Sequence, residues 1–430
     1  MSAPTPAAPI QAALPQDDRD LIDPNFHANG DLHGLWARHR REAPVRWTQT
    51  PYGRGYWSLT SYDRVRDVYM NPAAFSSQRS GATLPLNAQM ADPEQSQTLR
   101  LAMKGAMLPQ NDPPRHGVMR RAFQRHFMPK ALNELEPFVA SLSTNLIGQM
   151  LDRGECDFVT DVAARLPSTV IFEIMQVPPE DWDFLFEMAN RGSAPADPDY
   201  GNGSVLESRN EAVKAIIGYI LDLARRRRAN PGDDLISMLA TATVDGVPLT
   251  DEEIGFNGFM FVAAGQETTR NSLTAGISEL IRDPQQMRAL RTNPDLLQTL
   301  PDEFVRWRSP LTHVLRTATQ DMELGGQSIR EGDWLVAWIG SANRDEAVFA
   351  DPFTFDIARK PNPHLGFGAA DHFCLGALLA RLQLRRIMTA FIAHVDEIEL
   401  TGAIENVASH QFSGFKSMPV RVKARKPVIA

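Results

Sequence analysis

One cysteine constrains this chain more than any other residue. Cys374 stands in Phe367-Gly368-Ala369-Ala370-Asp371-His372-Phe373-Cys374-Leu375-Gly376, with glycines on both sides of the sulfur. Glycine permits tight turns and lets a backbone come close to a flat ligand. Directly downstream runs Ala377-Leu378-Leu379-Ala380-Arg381-Leu382-Gln383-Leu384-Arg385-Arg386, built of strong helix formers. The sulfur therefore sits at a helix N-terminus, where unpaired amides and the macrodipole stabilise a thiolate. An isolated cysteine is ordinarily a buried, inert side chain. The frame around this one argues for a ligand.

A second constraint lies far upstream. Thr250-Asp251-Glu252-Glu253 reads as a capping box opening a long helix. That helix is expected from Asp251 to about Arg282, ~48 Å at 1.5 Å per residue. Its first half, Phe256-Asn257-Gly258-Phe259-Met260-Phe261-Val262-Ala263-Ala264, is apolar and bulky, and Gly265-Gln266-Glu267-Thr268-Thr269-Arg270 then breaks the pattern. Gly265 costs the helix ~1 kcal/mol relative to alanine. Thr268 is placed to bond back to the Ala264 carbonyl, which bends the helix and opens a notch.

Together the two segments resemble the cytochrome P450 monooxygenases. The family's cysteine pattern, Phe-Gly-x-Gly-x-(His/Arg)-x-Cys-x-Gly, is matched with one departure, Ala370 in place of the second glycine. The helix pattern (Ala/Gly)-Gly-x-(Asp/Glu)-Thr is matched at every specified position. The resemblance implies the cytochrome P450 fold, mainly α with a small β region (α+β), as one domain over 19–430 after a disordered tail 1–18. It implies haem b (iron protoporphyrin IX) between the long helix and the cysteine segment. Cys374 would be the axial ligand of the iron, its thiolate favouring O–O cleavage. Phe367, Gly368, Gly376, Ala264 and Gly265 would lie against the ring. Thr268 would hydrogen-bond dioxygen there, and Glu267 would help relay protons to it.

Further residues take their meaning from the same resemblance. Haem propionates need cations and hydrogen-bond donors, and the family's donors are matched by His116, Arg120, Arg316 and His372. Read alone, His116 and Arg120 are a solvated helix face, i and i+4 apart. Glu303 and Arg306, i and i+3, read alone as a weak ion pair. With Arg359 they resemble the family's buried charge network, a structural role.

The expected pocket lining is apolar: Met260, Ala263 and Ala264 on the long helix, Leu311 and Val314 before Arg316, and Phe412 and Ser413 near the C-terminus. That favours a hydrophobic substrate of moderate size, and the C-terminal residues resemble members acting on steroids, terpenes or lipids. Arg79 to Pro109 resembles the variable loop over the substrate, and Gly192 to Gly203 a lid. His313 reads as a packing or backbone-bonding residue. Strands are expected at Trp57-Ser58-Leu59, Leu335 to Ile339 and Val420 to Val422, with mostly helix from Pro113 to about Leu300.

The 430 residues carry a net charge of −8, which argues against nucleic-acid binding. With Cys374 a ligand, only Cys156 remains; no disulfide framework is expected, consistent with a cytoplasmic location. Neither a signal peptide nor a membrane span is expected. The sequence has no flavin or nicotinamide fingerprint and no iron–sulfur cysteine cluster. The electrons for reducing dioxygen are therefore assigned to a separate ferredoxin and its NAD(P)H-dependent reductase, docking near the basic set Arg121, Arg125, Lys130, Arg385 and Arg386. Arg225-Arg226-Arg227-Arg228 reads as a solvated helix end. Three alternatives remain at this stage. A peroxide-driven peroxygenase would not need the Glu267–Thr268 pair. A haem-thiolate sensor should carry an output module. A zinc site from His364, His372 and Cys374 lacks a fourth ligand.

Overall fold

The computed structural model describes residues 14–87, 90, 105–201 and 204–425. Helices fill most of the chain between Arg115 and Arg308, and short sheets flank them. The long helix spans Asp251–Arg282, the expected range. Its start is fixed by the capping box: the Glu253 amide donates to Thr250 Oγ1 at 3.2 Å and the Thr250 amide donates to Glu253 Oε2 at 2.8 Å. Nearly every turn of it is buried, and it packs against the helices Arg165–Ile174, Trp182–Ser193, Val205–Ala229 and Leu300–Arg308. It is the central element of the largest hydrophobic core.

A five-stranded sheet forms the other flank, in the order Val45–Thr48, Tyr56–Leu59, Trp334–Trp338, His313–Ala318, Phe75–Ser76. Leu335 faces Trp57 in a parallel pair and Arg316 in an antiparallel one. All six residues of His313–Ala318 are buried, so Arg316 is carried into the interior by its register. A three-stranded sheet joins Val395–Leu400, Pro419–Ala424 and Glu155–Asp157. The three strands expected from sequence alternation are thus present. Among the described residues no helix is long and apolar enough to cross a membrane.

One boundary needs correction. The tail was expected to run to residue 18, but Gln16–Asp20 is helical and Asp18 is buried. Asp18 accepts the Gln49 amide at 2.9 Å and pairs with Arg46 at 2.5 Å, and these contacts tie the segment to the first strand. Residues 1–13 lie outside the described residues, as do 88–89 and 91–104 of the expected variable loop and 202–203 of the expected lid.

Candidate active site: a thiolate segment and a notched helix

Cys374 lies three residues before the Ala377–His394 helix, whose N-cap is Gly376. Its position is set by a tight backbone path. Gly368 and Ala370 take positive φ, +68° and +52°. The Cys374 amide donates to the Phe367 carbonyl at 2.7 Å, and the Phe373 amide donates to the Ala370 carbonyl at 3.0 Å. Burial pushes the thiol up, while the Gly376 amide and the Arg120 and Arg381 guanidiniums oppose that rise. A metal cation at the sulfur would deprotonate it outright. Cys374 is nonetheless accessible to a solvent-sized molecule, so it opens onto a cavity.

The long helix carries the matching opening. Ala264 is exposed although Val262 and Gln266, two residues to either side, are buried. Thr268 Oγ1 donates to the Ala264 carbonyl at 3.1 Å, the expected notch-forming bond. Gly265 and Thr268 are half-buried beside it. Between its exposed ends this core helix is exposed at Ala264 alone, which marks an opening beside that residue.

Four donors gather at the same site from three elements. His116 and Arg120 come from the helix Arg115–Phe123, Arg316 from its strand, and His372 from the cysteine segment. The His116 and His372 ring centroids are 4.2 Å apart. Ser77 Oγ lies 3.3 Å from His372 Nε2. Arg316 donates to its neighbour's carbonyl, Leu315 O, at 2.8 Å. Burial lowers the pKa of each of the four; Arg120 further lowers His116, and Arg316, His116 and Arg120 further lower His372. Among the described residues neither arginine has a carboxylate at ion-pair distance. Asp371 and Asp112 act on the cluster through space without pairing with either arginine, which leaves both guanidiniums able to receive an anionic group.

Comparison with known proteins agrees with this geometry. The family model for cytochrome P450 matches residues 193–396. A steroid C26-monooxygenase of Mycolicibacterium smegmatis is 34% identical, over 97% of this chain and 95% of the relative. A methyl-branched lipid omega-hydroxylase of Mycobacterium bovis is 37% identical over 95% of both chains. The crystal structure of CYP108D1 from Novosphingobium aromaticivorans superposes with a TM-score of 0.85 at 33% identity, covering 96% of this chain and 99% of that one. The chain belongs to the cytochrome P450 family.

As a P450 it is a haem-thiolate monooxygenase that takes haem b, and the residues present fit that group. The exposed thiol and the exposed Ala264 leave room for a ring, and the unpaired Arg120 and Arg316 with His116 and His372 suit two propionates. Near the cysteine segment, Glu303 and Arg306 are fully buried and bidentate, both contacts at 2.7 Å. Arg306 also donates to the Asn343 and Pro352 carbonyls at 3.0 and 2.9 Å, and Arg359 stands 3.4 Å from Glu303. Of the expected pocket residues, Met260 and Ala263 are half-buried, Leu311 and Phe412 are joined by a backbone bridge, and the Ser413 amide donates to Pro310 O at 2.9 Å. Val314 is buried and packs within the cluster of the five-stranded sheet.

Glu267 and Thr268 are neighbours whose side chains are not joined. The Glu267 carboxylate is buried and accepts from Arg270 and, at 3.0 Å, from Asn271 Nδ2. Arg270 Nη1 in turn donates to Asn190 Oδ1 at 2.9 Å, on the helix Trp182–Ser193. Glu267 is thus held by residues one turn further along the helix, whereas the Thr268 hydroxyl bonds one turn back, to Ala264. The i+3 and i+4 spacing of Arg270 and Asn271 was a legible signal for the clamp; Asn190, from another helix, was not. His364, offered for a zinc site, spends both ring nitrogens on Asp302 at 2.9 Å and the Gly366 amide at 3.1 Å. His313 accepts the Leu84 amide at 2.9 Å, the backbone role expected of it.

Proposed function

We propose that this P450 oxidises steroid-, terpene- or lipid-like molecules, by hydroxylation or epoxidation, with Cys374 as the haem ligand and electrons from a separate ferredoxin and its NAD(P)H-dependent reductase. The observation that carries the site assignment is the accessible Cys374 with four donors nearby, of which neither arginine is ion-paired among the described residues. The names of the two curated relatives support the substrate class. When bound, haem b supplies reductive activation of dioxygen and transfer of one of its atoms to the substrate.

The remaining tasks fall to this chain. His116, Arg120, Arg316 and His372 would hold the propionates of that group. Ala264 and Gly265 keep the notch open by carrying little or no side chain. Thr268 holds a hydroxyl proton beside the notch, currently given to the Ala264 carbonyl. Glu267 serves as the acid behind it, and to reach Thr268 it has to exchange its bonds to Arg270 and Asn271. Met260, Ala263, Leu311, Phe412 and Ser413 surround the apolar substrate and exclude water.

For the electron donor, the face around Cys374 offers exposed Phe373 and Leu378 with exposed Arg121 and Lys130. Arg125 and Arg386 are drawn to Asp233 and Glu136 of this chain and contribute less. A ferredoxin fits this face by charge and by its apolar centre. The cysteine usage fits a cytoplasmic location.

The test is spectroscopic. Reduced, carbon-monoxide-treated protein is expected to absorb at the long-wavelength position of thiolate-bound haem, and Cys374→Ser to lose that band while remaining folded. A Cys374→Ser protein with an unchanged spectrum would remove the assignment. Product analysis with steroid and branched-lipid panels, driven by a ferredoxin system, then decides the substrate class.

A further inference from the structure

Two segments far apart in sequence meet the long helix just past its notch. Met260, Ala264, Thr268 and Asn271 share one helix face, Asn271 following Ala264 by ~10.5 Å of axis and about 20° short of two turns. Gly414 packs on Asn271 so closely that a Cβ there would lie 2.1 Å from Asn271 Oδ1. Gly414 belongs to the hairpin that pairs Glu405–Asn406 with Phe415–Ser417 and carries Phe412 and Ser413 in its connection. The other segment, residues 194–201, runs on from the helix Trp182–Ser193. That helix reaches the long one through Asn190, whose Oδ1 accepts from Arg270 Nη1 at 2.9 Å.

The hairpin is fixed to the body of the molecule. Arg308 donates to the Gly414 carbonyl at 3.0 Å and to Asn406 Oδ1 at 3.1 Å, and Phe415 is buried in the largest core. Residues 194–201 are held differently. Their backbone bonds turn inward: the Asp197 amide donates to Ala194 O at 3.0 Å and the Gly201 amide to Asp197 O at 2.7 Å. Among the described residues, every hydrogen bond or ion pair from this stretch to a distant part of the chain ends on the hairpin. Asp197 Oδ2 accepts the Ala408 amide at 3.2 Å. Lys416 Nζ stands 3.4 Å from Asp197 Oδ1 and 2.5 Å from Asp199 Oδ2.

This is not an exposed ion pair of the usual weak kind. The Lys416 side chain is 16% exposed and that of Asp197 1%. The Asp199 carboxylate, with Asp197 behind it, holds the ammonium above its ordinary range. Glu405 adds a third carboxylate at 3.7 Å, from the hairpin itself. One cation therefore serves three acids, two of them on 194–201. Without it, carboxylates from both segments would face one another and repel.

We propose that Lys416 is the bolt of an ionic latch that keeps residues 194–201 against the hairpin, and that its release sets the rate at which bulky apolar ligands enter and leave the site beside Ala264. The helices Trp182–Ser193 and Val205–Ala229 both pack on the long helix, and 194–201 leads from the first toward the second. The hairpin borders the notched face at Asn271. Parting the two segments thus opens that face from its far end. The inference rests on the monooxygenase reading and concerns access to its site.

Stopped-flow absorbance of the haem-loaded enzyme tests it, with clotrimazole as the bulky probe and imidazole as the small one. Each shifts the Soret band when its ring nitrogen reaches the iron. In Lys416→Met, clotrimazole association and dissociation are both expected to rise about tenfold, the effect of one charge-assisted contact. Their ratio should stay within about threefold, because a latch changes the barrier rather than the bound state. Imidazole rates should stay within about twofold. Asp199→Asn, at an exposed position, should speed clotrimazole less but in the same direction, and added salt should speed the wild type more than Lys416→Met. The proposal is overturned if clotrimazole rates in Lys416→Met match the wild type, or if imidazole accelerates equally, since the variant is then loosened throughout. Should Lys416→Met fail to retain haem, Asp199→Asn decides, and unchanged clotrimazole rates there overturn the latch. Carbon-monoxide spectra keep the two readings apart: an intact thiolate band with unchanged clotrimazole rates sinks this inference alone.

Discussion

A methyl group sits at Ala370 where the backbone is left-handed, at φ +52°. A Cβ in that region costs roughly 1–2 kcal/mol, and nothing about Ala370, an exposed side chain, repays it. Gly368, two residues earlier at φ +68°, shows the alternative: a Cβ there would come 3.1 Å from the His372 carbonyl. Ala370→Gly enlarges the unfolded ensemble, a loss of about 0.4–1 kcal/mol, so the net expectation is a gain of about 0.5–1 kcal/mol. A higher urea midpoint for the haem-loaded variant would bear that out, and a lower one would show that the methyl group packs usefully. Glu303 answers to the opposite logic. It is fully buried, and it compensates Arg306 and Arg359 together. Glu303→Gln leaves two guanidiniums without their counter-charge, and loss of one partner from a buried pair typically costs about 3–5 kcal/mol. The expected readout is a lowered thermal midpoint together with reduced haem content after purification. The Glu303–Arg306 pair was legible from its i, i+3 spacing. The Asn343, Pro352 and Thr354 carbonyls that complete the Arg306 shell were not, because contacts made across the fold leave no periodicity.

The long helix was legible in both its ends and its interruption, because a capping box, an apolar run and a glycine–threonine break are all local signals. The reasons for Gly258 and Gly276 were not. Gly276 faces Phe304 on the helix Leu300–Arg308, and a Cβ there would sit 2.3 Å from the ring. Gly258 meets Ile220 in the same way, at 2.4 Å. Both are close approaches dictated by a partner helix, so only the assembled bundle reveals why a residue costing the helix ~1 kcal/mol is present. The two effects can be set against each other. Gly276→Ala recovers that ~1 kcal/mol of propensity, but the overlap with a fully buried ring forces a shift of one helix, and overpacking costs about 1–3 kcal/mol. We expect net destabilisation, seen as a reduced urea midpoint in the haem-loaded protein. Pairing Gly276→Ala with Phe304→Leu should restore part of it, because the smaller side chain vacates the contested space. An increase in stability for Gly276→Ala alone would mean that the two helices are free to separate.

At the scale of the whole molecule, three histidines join segments that are far apart in sequence. His27 lies in the helix Pro24–Asn29, His313 opens a central strand, and His410 lies in the loop just before Phe412. The His313 and His410 rings stack with centroids 6.1 Å apart, His27 lies 6.3 Å from His410, and Trp338 packs on both His27 and His313. The groups around them are the Leu21 carbonyl on His27, the Leu84 amide and Thr312 hydroxyl on His313, and the Leu84 and Pro85 carbonyls with the Arg209 guanidinium near His410. No carboxylate opposes the lowering of any of the three. Burial lowers His27 to about 3, His410 to about 4, and His313 well below its ordinary 6.5. The sign follows from which state takes up protons first. The unfolded chain protonates its histidines near pH 6.5, and the folded chain does so only several units lower. Stability from the cluster is therefore complete above about pH 6.5 and declines as pH falls toward the folded values, by about 1.4 kcal/mol per pH unit for each histidine. His27→Gln keeps an amide donor for the Leu21 carbonyl and removes one of the protons. Urea unfolding of wild type and variant between about pH 7 and pH 5 should show the variant losing less stability, by about 1.4 kcal/mol per unit below pH 6.5. Parallel pH profiles would mean that His27 stays in contact with solvent, and that the N-terminal segment is not locked to the His410 loop by this cluster.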